Sequence, residues 1–147
     1  MILKLEQDTT QNDIKVSISY PQKTKTVDRI VSLIKSFDRK MECYSDDSIK
    51  LVNVSDIFYI ESVDRKTIAF CKNESYQVRK RLYQVYEELV DNGFVQISKY
   101  CILNVNKLAE IKQLHNSHLE AILSNGTHLY VTRKYLAGIK QILQEDE

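Results

Sequence analysis

Apolar and polar positions alternate along several short segments of the chain, a pattern typical of β-strands with one buried face. Near the N-terminus two such segments, residues 2–5 and 14–20, flank a polar link. From residue 25 to 37 the period changes to that of an amphipathic helix, with apolar positions at Val27, Ile30, Val31, Ile34 and Phe37. Residues 1–43 are therefore predicted to form a small ββα unit, and residues 38–47 its link to the next part.

Strands in succession are predicted for the following part of the chain. Their apolar runs lie at residues 51–54, 57–60, 67–71 and 76–78. The run 57–60 has no polar residue at alternate positions, so we expect it to be covered on both faces. A polar, charged corner follows it at residues 61–66. Helical period returns at residues 80–91, and Asn92-Gly93 is a typical helix stop.

Residues 94–106 hold two apolar runs separated by the polar break Ser98-Lys99-Tyr100. A tight corner between strands favours Gly, Asn or Asp for their backbone freedom. Lys99 and Tyr100 therefore indicate a corner that presents side chains.

Further strands are predicted at residues 108–114, 119–123 and 129–131. Asn125-Gly126 predicts a hairpin turn of type I′ between the last two, and Thr132 is expected to cap a final helix. The pattern as a whole predicts a mainly β fold with short helices.

Composition narrows the class of protein. With 147 residues, 43% hydrophobic and 28% charged, the chain is predicted to be a soluble, globular, cytoplasmic protein. No apolar run approaches the roughly 18 residues of a membrane helix, and residues 1–8 lack the order of a signal peptide. The three cysteines, Cys43, Cys71 and Cys101, are far apart, so reduced thiols are expected. The net charge of +1 does not indicate binding to nucleic acid. Any evidence for such binding must come from the local placement of charged residues.

Two predicted helices carry charges in the order that the helix dipole disfavours. Arg79, Lys80 and Arg81 stand at the start of the first, and Glu87, Glu88 and Asp91 at its end. Arg133 and Lys134 open the last helix, and Glu145, Asp146 and Glu147 follow it. A helix start that faces an external phosphate would recover this cost. The alternative is solvated surface charge with no partner.

The sequence contains little that indicates a catalytic site or a metal site. His115, His118 and His128 are the residues on which a metal enzyme would depend, but no Cys, Asp or Glu stands at a helpful spacing. No nucleophile elbow, metalloprotease motif or phosphate-binding loop occurs. We therefore expect no enzyme activity, no catalytic residue, no metal and no cofactor.

Four blocks of the sequence resemble a LytTR-type DNA-binding domain. They are VSDIFYIESVDRKT, VRKRLYQVYEEL, GFVQISKYCILNVNKLAEI and LSNGTHLYVTRKYLAGIKQIL, in the order and at the spacing of the family, over about residues 45 to 143. The resemblance implies an elongated, antiparallel fold of stacked sheets for residues 44–147. Residues 1–43 resemble the ββα extension of short LytTR regulators that lack a receiver domain.

The resemblance also implies which residues contact DNA, because loops of this family enter successive major grooves. The contact after the YIES strand falls on Arg65 or Lys66, the central one on Lys99 with Asn104 closing the strand, and the last on Arg133. Tyr100 stands where relatives often have Ser or Thr. Lys134 and Arg79, Lys80 and Arg81 are expected to hold phosphate.

The expected function is that of a DNA-binding transcriptional regulator on double-stranded DNA. Repeated targets in the family imply a homodimer, at least on DNA, with residues 1–43 as the candidate for self-association or regulation. The alternative is a protein-interaction module. The resemblance implies this alternative too, because short LytTR regulators are often paired with a small membrane protein that restrains them.

Overall fold

The computed structural model describes residues 1–115 and 118–143. Asn116 and Ser117, within the histidine-containing loop, and the acidic residues Glu145, Asp146 and Glu147 lie outside the described residues. The helices are α1 (Lys25–Phe37), α2 (Leu82–Leu89) and α3 (Leu136–Leu143). The strands are β1 (Lys40–Ser45), β2 (Ser48–Asn53), β3 (Tyr59–Val63), β4 (Lys66–Phe70), β5 (Ser75–Val78), β6 (Phe94–Ser98), β7 (Cys101–Asn104), β8 (Leu108–Gln113), β9 (Leu119–Leu123) and β10 (His128–Val131).

The strands form two antiparallel sheets. Seven of them form the larger sheet, in the order β2-β1-β5-β4-β3-β7-β6, and the other three form the smaller sheet, in the order β10-β9-β8. The prediction of a mainly β, antiparallel fold with short helices is therefore confirmed.

Each face of the larger sheet has its own apolar core. On one face, Ile60, Ala69 and Val78 pack with the inner side of α2, which contributes Val85 and Leu89. This burial fits the amphipathic pattern of the helix, because apolar residues three and four positions apart share one helix face.

The second core joins the other face of the larger sheet to the smaller sheet and α3. Val95 and Leu103 of the larger sheet belong to the same buried cluster as Ala121, Leu123 and the α3 residue Ile139. Strand β7 contributes to both cores, with Ile102 on the first side and Leu103 on the second, because successive side chains of a strand point to opposite faces. The sheets are therefore stacked.

Several local predictions are confirmed. The expected double cover of residues 57–60 is observed, since Ile57 and Ile60 lie in the first core and Phe58 in the second. Helix α2 leads through a short 3-10 turn to Gly93, whose φ of 89° is the left-handed conformation of a helix stop.

The N-terminal unit differs from its prediction. Helix α1 is present, but residues 2–5 and 14–20 belong to no strand of the described chain. A strand needs a neighbour for its backbone groups, and no described part of the chain supplies one to these residues. The prediction of two N-terminal strands is therefore wrong for the single chain.

Strand β1 was expected to be a link. Its inward residues are only Met41 and Cys43, set among charged and polar ones, so its alternation is weak in the sequence. The strand forms because it pairs along its whole length with β2. The expected division between residues 43 and 44 falls inside β1, and the division into two units stays a prediction.

Candidate nucleic-acid interface

Three corners of the chain lie side by side at one end of the larger sheet. They are the β3–β4 turn (Asp64 and Arg65), the β6–β7 turn (Lys99 and Tyr100) and the segment 132–134 after β10. The Ser62 amide donates to the Tyr100 carbonyl at 2.8 Å, which joins the first corner to the second. The Thr132 amide donates to the Ile97 carbonyl at 2.9 Å, which joins the third corner to the second. We call the exposed residues Arg65, Lys99 and Arg133, one from each corner, the basic row.

Arg65 occupies the tip of a two-residue hairpin turn. Val63 pairs with Lys66, and the two residues between them have φ angles of 50° (Asp64) and 65° (Arg65). Both angles are positive, as a type I′ turn requires. The left-handed region costs an L residue about 1–2 kcal/mol, although Asp tolerates it through local hydrogen bonds.

Arginine lacks the short polar side chain whose local hydrogen bonds let Asp tolerate a positive φ. The other positive-φ residues without a glycine's freedom in the described chain, Asp46 and Asp64, are both aspartates, so Arg65 stands out. Backbone strain of this kind clusters at functional sites. Lys66, the other candidate for this corner, is exposed but begins β4 as the strand partner of Val63.

The second corner presents a lysine and a tyrosine together. The Tyr100 amide donates to the Ser98 hydroxyl at 3.2 Å, and the β6–β7 pairing is irregular between Gln96 and Ser98. The Lys99 ammonium lies 5.5 Å from the centre of the Tyr100 ring, and Tyr100 is 56% exposed. The ring therefore lines the surface beside the cation.

Asn104 is not at this surface. It is 1% exposed, its Nδ2 donates to the Ile57 carbonyl at 2.9 Å, and its Oδ1 accepts from the Asn106 amide at 3.0 Å. It also lies at the end of β7 opposite to Lys99. The expectation that it belongs to the DNA-contacting set needs correction: burial withdraws its amide from solvent and gives it a structural role.

The third corner is a short 3-10 turn, Arg133–Tyr135, directly before α3. The Lys134 ammonium lies 5.6 Å from the Tyr135 ring, and both Arg133 and Lys134 are exposed. Thr132 does not cap α3 with its side chain as expected; its hydroxyl donates to the Ile97 carbonyl at 3.4 Å. This bond ties the corner to β6.

The hairpin at Asn125-Gly126 is confirmed, but the turn differs in type. Gly126 has a φ of 89°, while Asn125 is not among the positive-φ residues, so a type I′ turn is not formed. The Gly126 amide donates to the Leu123 carbonyl, and the Leu123 amide to the Thr127 carbonyl, both at 2.9 Å. The loop is therefore one residue or more longer than a two-residue turn.

The cluster Arg79, Lys80 and Arg81 lies beside the row. Val78 pairs with Thr67, which sets Arg79 next to Lys66 at the same end of the sheet. The Arg79 guanidinium carbon lies 3.8 Å from the centre of the Tyr44 ring, and Lys80 forms a 2.6 Å ion pair with Glu88. Two of these cations therefore already have contacts within the protein.

Sequence reasoning missed two further basic residues in this region. Arg39 and Lys40 line a cleft of about 330 Å³ together with Arg79, Lys80 and Glu88. Arg39 approaches Glu88 at 3.8 Å. Both residues fall in the stretch expected to be a link, so only the pairing of β1 with β5 could have revealed them.

The length of the row can be estimated from strand spacing. Neighbouring strands lie about 4.8 Å apart, so the distance from β4 across β3, β7 and β6 to Thr132 is about 19 Å. The major groove of B-DNA is about 12 Å wide. The basic row is therefore longer than one groove is wide.

The three histidines do not come together. His118 precedes β9 and His128 lies opposite Ile122 near the other end of that strand, while His115 belongs to the β8–β9 loop. His128 instead contacts the Glu120 carboxylate at 2.9 Å. Among the described residues, no three His, Cys, Asp or Glu side chains are grouped as metal ligands would be.

The cysteines are free thiols. Burial raises the pKa of Cys43 and of Cys71 to about 11, and burial also raises the pKa of Cys101. All three are therefore protonated at neutral pH, and a protonated thiol is a poor nucleophile. As for membranes, none of the helices in the described ranges has the length and apolar character needed to span one.

The chain is similar to several known proteins. The family model described as "LytTr DNA-binding domain" matches residues 47–144. A protein of Staphylococcus aureus strain NCTC 8325 / PS 47, described as an uncharacterized HTH-type transcriptional regulator, is 25% identical over 145 residues, which are 97% of this chain and 98% of the relative. A protein of the same description from strain N315 is also 25% identical, with the same coverage.

A solved structure shows the same fold. The LytTr DNA-binding domain of a Bacillus cereus response regulator superposes with a TM-score of 0.65 at 23% identity, over 71% of this chain and 95% of that one.

Proposed function

This chain belongs to the LytTr DNA-binding domain family, and we propose that it regulates transcription by inserting the corners of its basic row into successive major grooves of a repeated operator. The family binds DNA and is not a class of enzymes. The observation that carries the proposal is the backbone connection of the three corners, which holds Arg65, Lys99 and Arg133 in one exposed row.

Corners are better placed for this contact than a helix. The relatives carry the name HTH-type, but in the described part of this chain each α-helix is separated from the next by strands. The two-helix unit of a helix-turn-helix reader joins its helices by a short turn. Exposed arginine and lysine at the corners can instead reach guanine O6 and N7 from the groove.

We assign base contacts to Arg65, Lys99 and Arg133. Arg65 is preferred to Lys66 because it stands at the turn tip in a strained conformation, and Lys66 is left to the phosphate backbone. The ring of Tyr100 lies beside Lys99 and would meet sugar or phosphate. Asn104 is buried at the other end of β7, and we assign it a structural role.

Phosphate contacts are assigned to the cations that flank the row. Lys134 is exposed beside Arg133, and Arg79 lies next to Lys66 and is followed in the chain by Lys80 and Arg81. Lys80 would exchange Glu88 for a phosphate, which is a small cost because ion pairs at the surface contribute only about 0–1 kcal/mol. The row, at about 19 Å, exceeds the width of one groove, which supports contact with two.

Two partners are part of this proposal. A repeated operator requires two copies of the chain, so a homodimer on DNA is expected. The alternative function, interaction with a small membrane protein, is favoured by one observation: Ile2, Ile14 and Phe37 are 96%, 88% and 76% exposed, which leaves apolar surface for another protein. Because the proposed target is DNA, we place the chain in the cytoplasm.

The test is binding of the full chain to a labelled fragment of the DNA upstream of its own gene, with excess random DNA as competitor. We expect tight binding that survives the competitor, weakens with salt, and protects two repeated half-sites from cleavage. Arg133→Ala should weaken this binding about 5- to 150-fold, as the loss of about 1–3 kcal/mol implies.

The matched control is Lys72→Ala. Lys72 is an exposed loop lysine at the opposite end of β4 and β5, so its loss removes the same charge from the wrong place. Binding that random DNA abolishes, or equal losses for Arg133→Ala and Lys72→Ala, would contradict the proposal.

A further inference from the structure

The N-terminal part of the chain leaves a large apolar surface uncovered. Its exposed large apolar residues are Met1, Ile2, Leu3, Leu5, Ile14, Val16, Tyr20, Leu33, Ile34 and Phe37. Each side chain of this kind removes roughly 100 Å² from water when it is fully buried. Scaled by exposure, the group offers about 700 Å² of apolar area, about half of it on residues 14–20 and α1 and half on residues 1–5.

Helix α1 also has an apolar face that is only partly covered. Its apolar positions form one face, yet the buried residue of this helix is Ser36, while Ile34 is 37% and Phe37 76% exposed. A helix of this length depends on the packing of its apolar face for stability. The rest of the described chain covers only part of that face.

Residues 14–20 have a strand pattern without a strand. Ile14, Val16, Ile18 and Tyr20 alternate with Lys15, Ser17 and Ser19, and no described strand pairs with them. Val16, Ile18 and Tyr20 line one side of a cavity of about 710 Å³, and Val27, Val31 and Ile34 of α1 line another side. The strand-like segment and the helix therefore turn their apolar residues to the same unfilled space.

The segment is complementary to a second copy of itself. In an antiparallel pair about a two-fold axis at Ser17, Val16 lies opposite Ile18 of the partner and Ile14 opposite Tyr20. All the apolar residues then lie on one face of the two-stranded ribbon, because strand side chains alternate with a period of two. A symmetric dimer uses the same patch twice.

We propose that residues 14–20 pair with the same residues of a second copy and that the ribbon closes over both α1 helices. A standard interface buries about 800 Å² per partner. The exposed apolar side chains of residues 14–20 and α1 supply nearly half of that, and residues 1–5 add a similar area if they join the interface. The pairing also explains why a strong strand pattern forms no strand in the single chain. It does not depend on DNA binding.

The test is the mass of the full chain in solution without DNA, by light scattering after size exclusion over a range of concentrations. We expect a dimer for the wild type and a monomer for the double variant Val16→Asp/Ile18→Asp. The control Ser19→Asp adds a carboxylate to the polar face of the same segment, opposite the partner's Lys15, and should remain a dimer. Circular dichroism should show that both variants keep the wild-type fold.

Hydrogen exchange gives a second readout. Alternate amides of residues 15–20, those that bond to the partner strand, should be protected in the dimer and should lose protection in Val16→Asp/Ile18→Asp. A wild type that stays monomeric at its highest soluble concentration would overturn the proposal and leave the surface to a different protein. A dimer that both variants retain, with these amides exchanging freely, would also overturn it.

Because the readouts use no DNA, the two proposals can fail separately. A dimer that ignores operator DNA would remove the proposed function and keep this interface. A chain that is monomeric without DNA but protects two half-sites of the operator would remove this interface and keep the proposed function.

Discussion

The two ends of the strands β3 to β7 carry different charges although they belong to the same sheet. One end presents the basic row, with Arg65, Lys66 and Lys99 at its turns and Arg79 beside them. The opposite end has mixed charge: Asp56, Glu74 and Lys107 all lie near enough to Cys71 to influence its pKa. Cations are therefore concentrated at one end only.

The difference explains why net charge is uninformative here. A chain with a formal charge of +1 has no general attraction to DNA. Because the cations are gathered at one end of the strands, the electrostatic field at that end attracts phosphate. The residues at the other end can then serve the stability of the fold. The first end is expected to determine affinity and the second stability.

The strongest test of this division removes the row. The variant Arg65→Ala/Lys99→Ala/Arg133→Ala should lose at least about 3 kcal/mol of specific binding, because each contact contributes about 1–3 kcal/mol. Its melting temperature should stay near that of the wild type, since all three residues are exposed. The measurement is fluorescence anisotropy on operator DNA.

The control for this variant is Lys72→Ala/Lys107→Ala/Lys112→Ala, which removes the same charge from outside the row. Equal loss of binding in both variants would mean that total charge, and not its position, governs affinity. The comparison between the two ends would then fail.

The opposite end is tested through Asn104. Asn104→Ala should lower the free energy of unfolding by about 2–4 kcal/mol, because the Ile57 carbonyl and the Asn106 amide lose their buried partner. Urea unfolding measures this effect, and Asn73→Ala, an exposed amide at the same end, is the control. A stable Asn104→Ala variant with impaired DNA binding would instead return Asn104 to the DNA-contacting set.

Sequence reasoning located most of the β fold because its strands are buried on one or both faces, and burial leaves a periodic pattern. It failed at β1, where only Met41 and Cys43 point inward, and at residues 14–20, where the pattern is clear but the pairing strand is absent from the described chain. The hydrophobic pattern of a segment indicates which of its side chains can be buried. It does not indicate whether a neighbouring strand is present to pair with the segment.

The site was located less completely. Exposed cations at corners were visible in the sequence, but Asp64-Arg65 lacks the Asn-Gly signature of a type I′ turn, so the choice between Arg65 and Lys66 needed the backbone angles. Burial of Asn104 and proximity of Arg39 to Arg79 depend on long-range packing, which no local pattern reports.

The strained turn allows a test in which stability and affinity change in opposite directions. Replacing Asp64-Arg65 by Asn-Gly should raise the free energy of unfolding by about 1 kcal/mol, because glycine adopts a positive φ without the side-chain clash. Specific DNA binding should fall by about 1–3 kcal/mol, because the arginine is lost. Chemical denaturation and anisotropy measure the two effects. A variant that is no more stable would show that the turn carries no strain.

The smallest expected effect concerns the cations beside the row. Each lost phosphate contact should reduce the slope of log K against log salt concentration by about 0.9, so Lys134→Ala should lower it by nearly one while Lys72→Ala leaves it unchanged. Lys80→Ala should have a smaller effect than Lys134→Ala, because Lys80 must leave Glu88, 2.6 Å away, before it can hold a phosphate. Titrations of operator DNA at several salt concentrations measure the slopes. Equal slopes for Lys134→Ala and Lys72→Ala would limit the DNA-facing surface to the three corners.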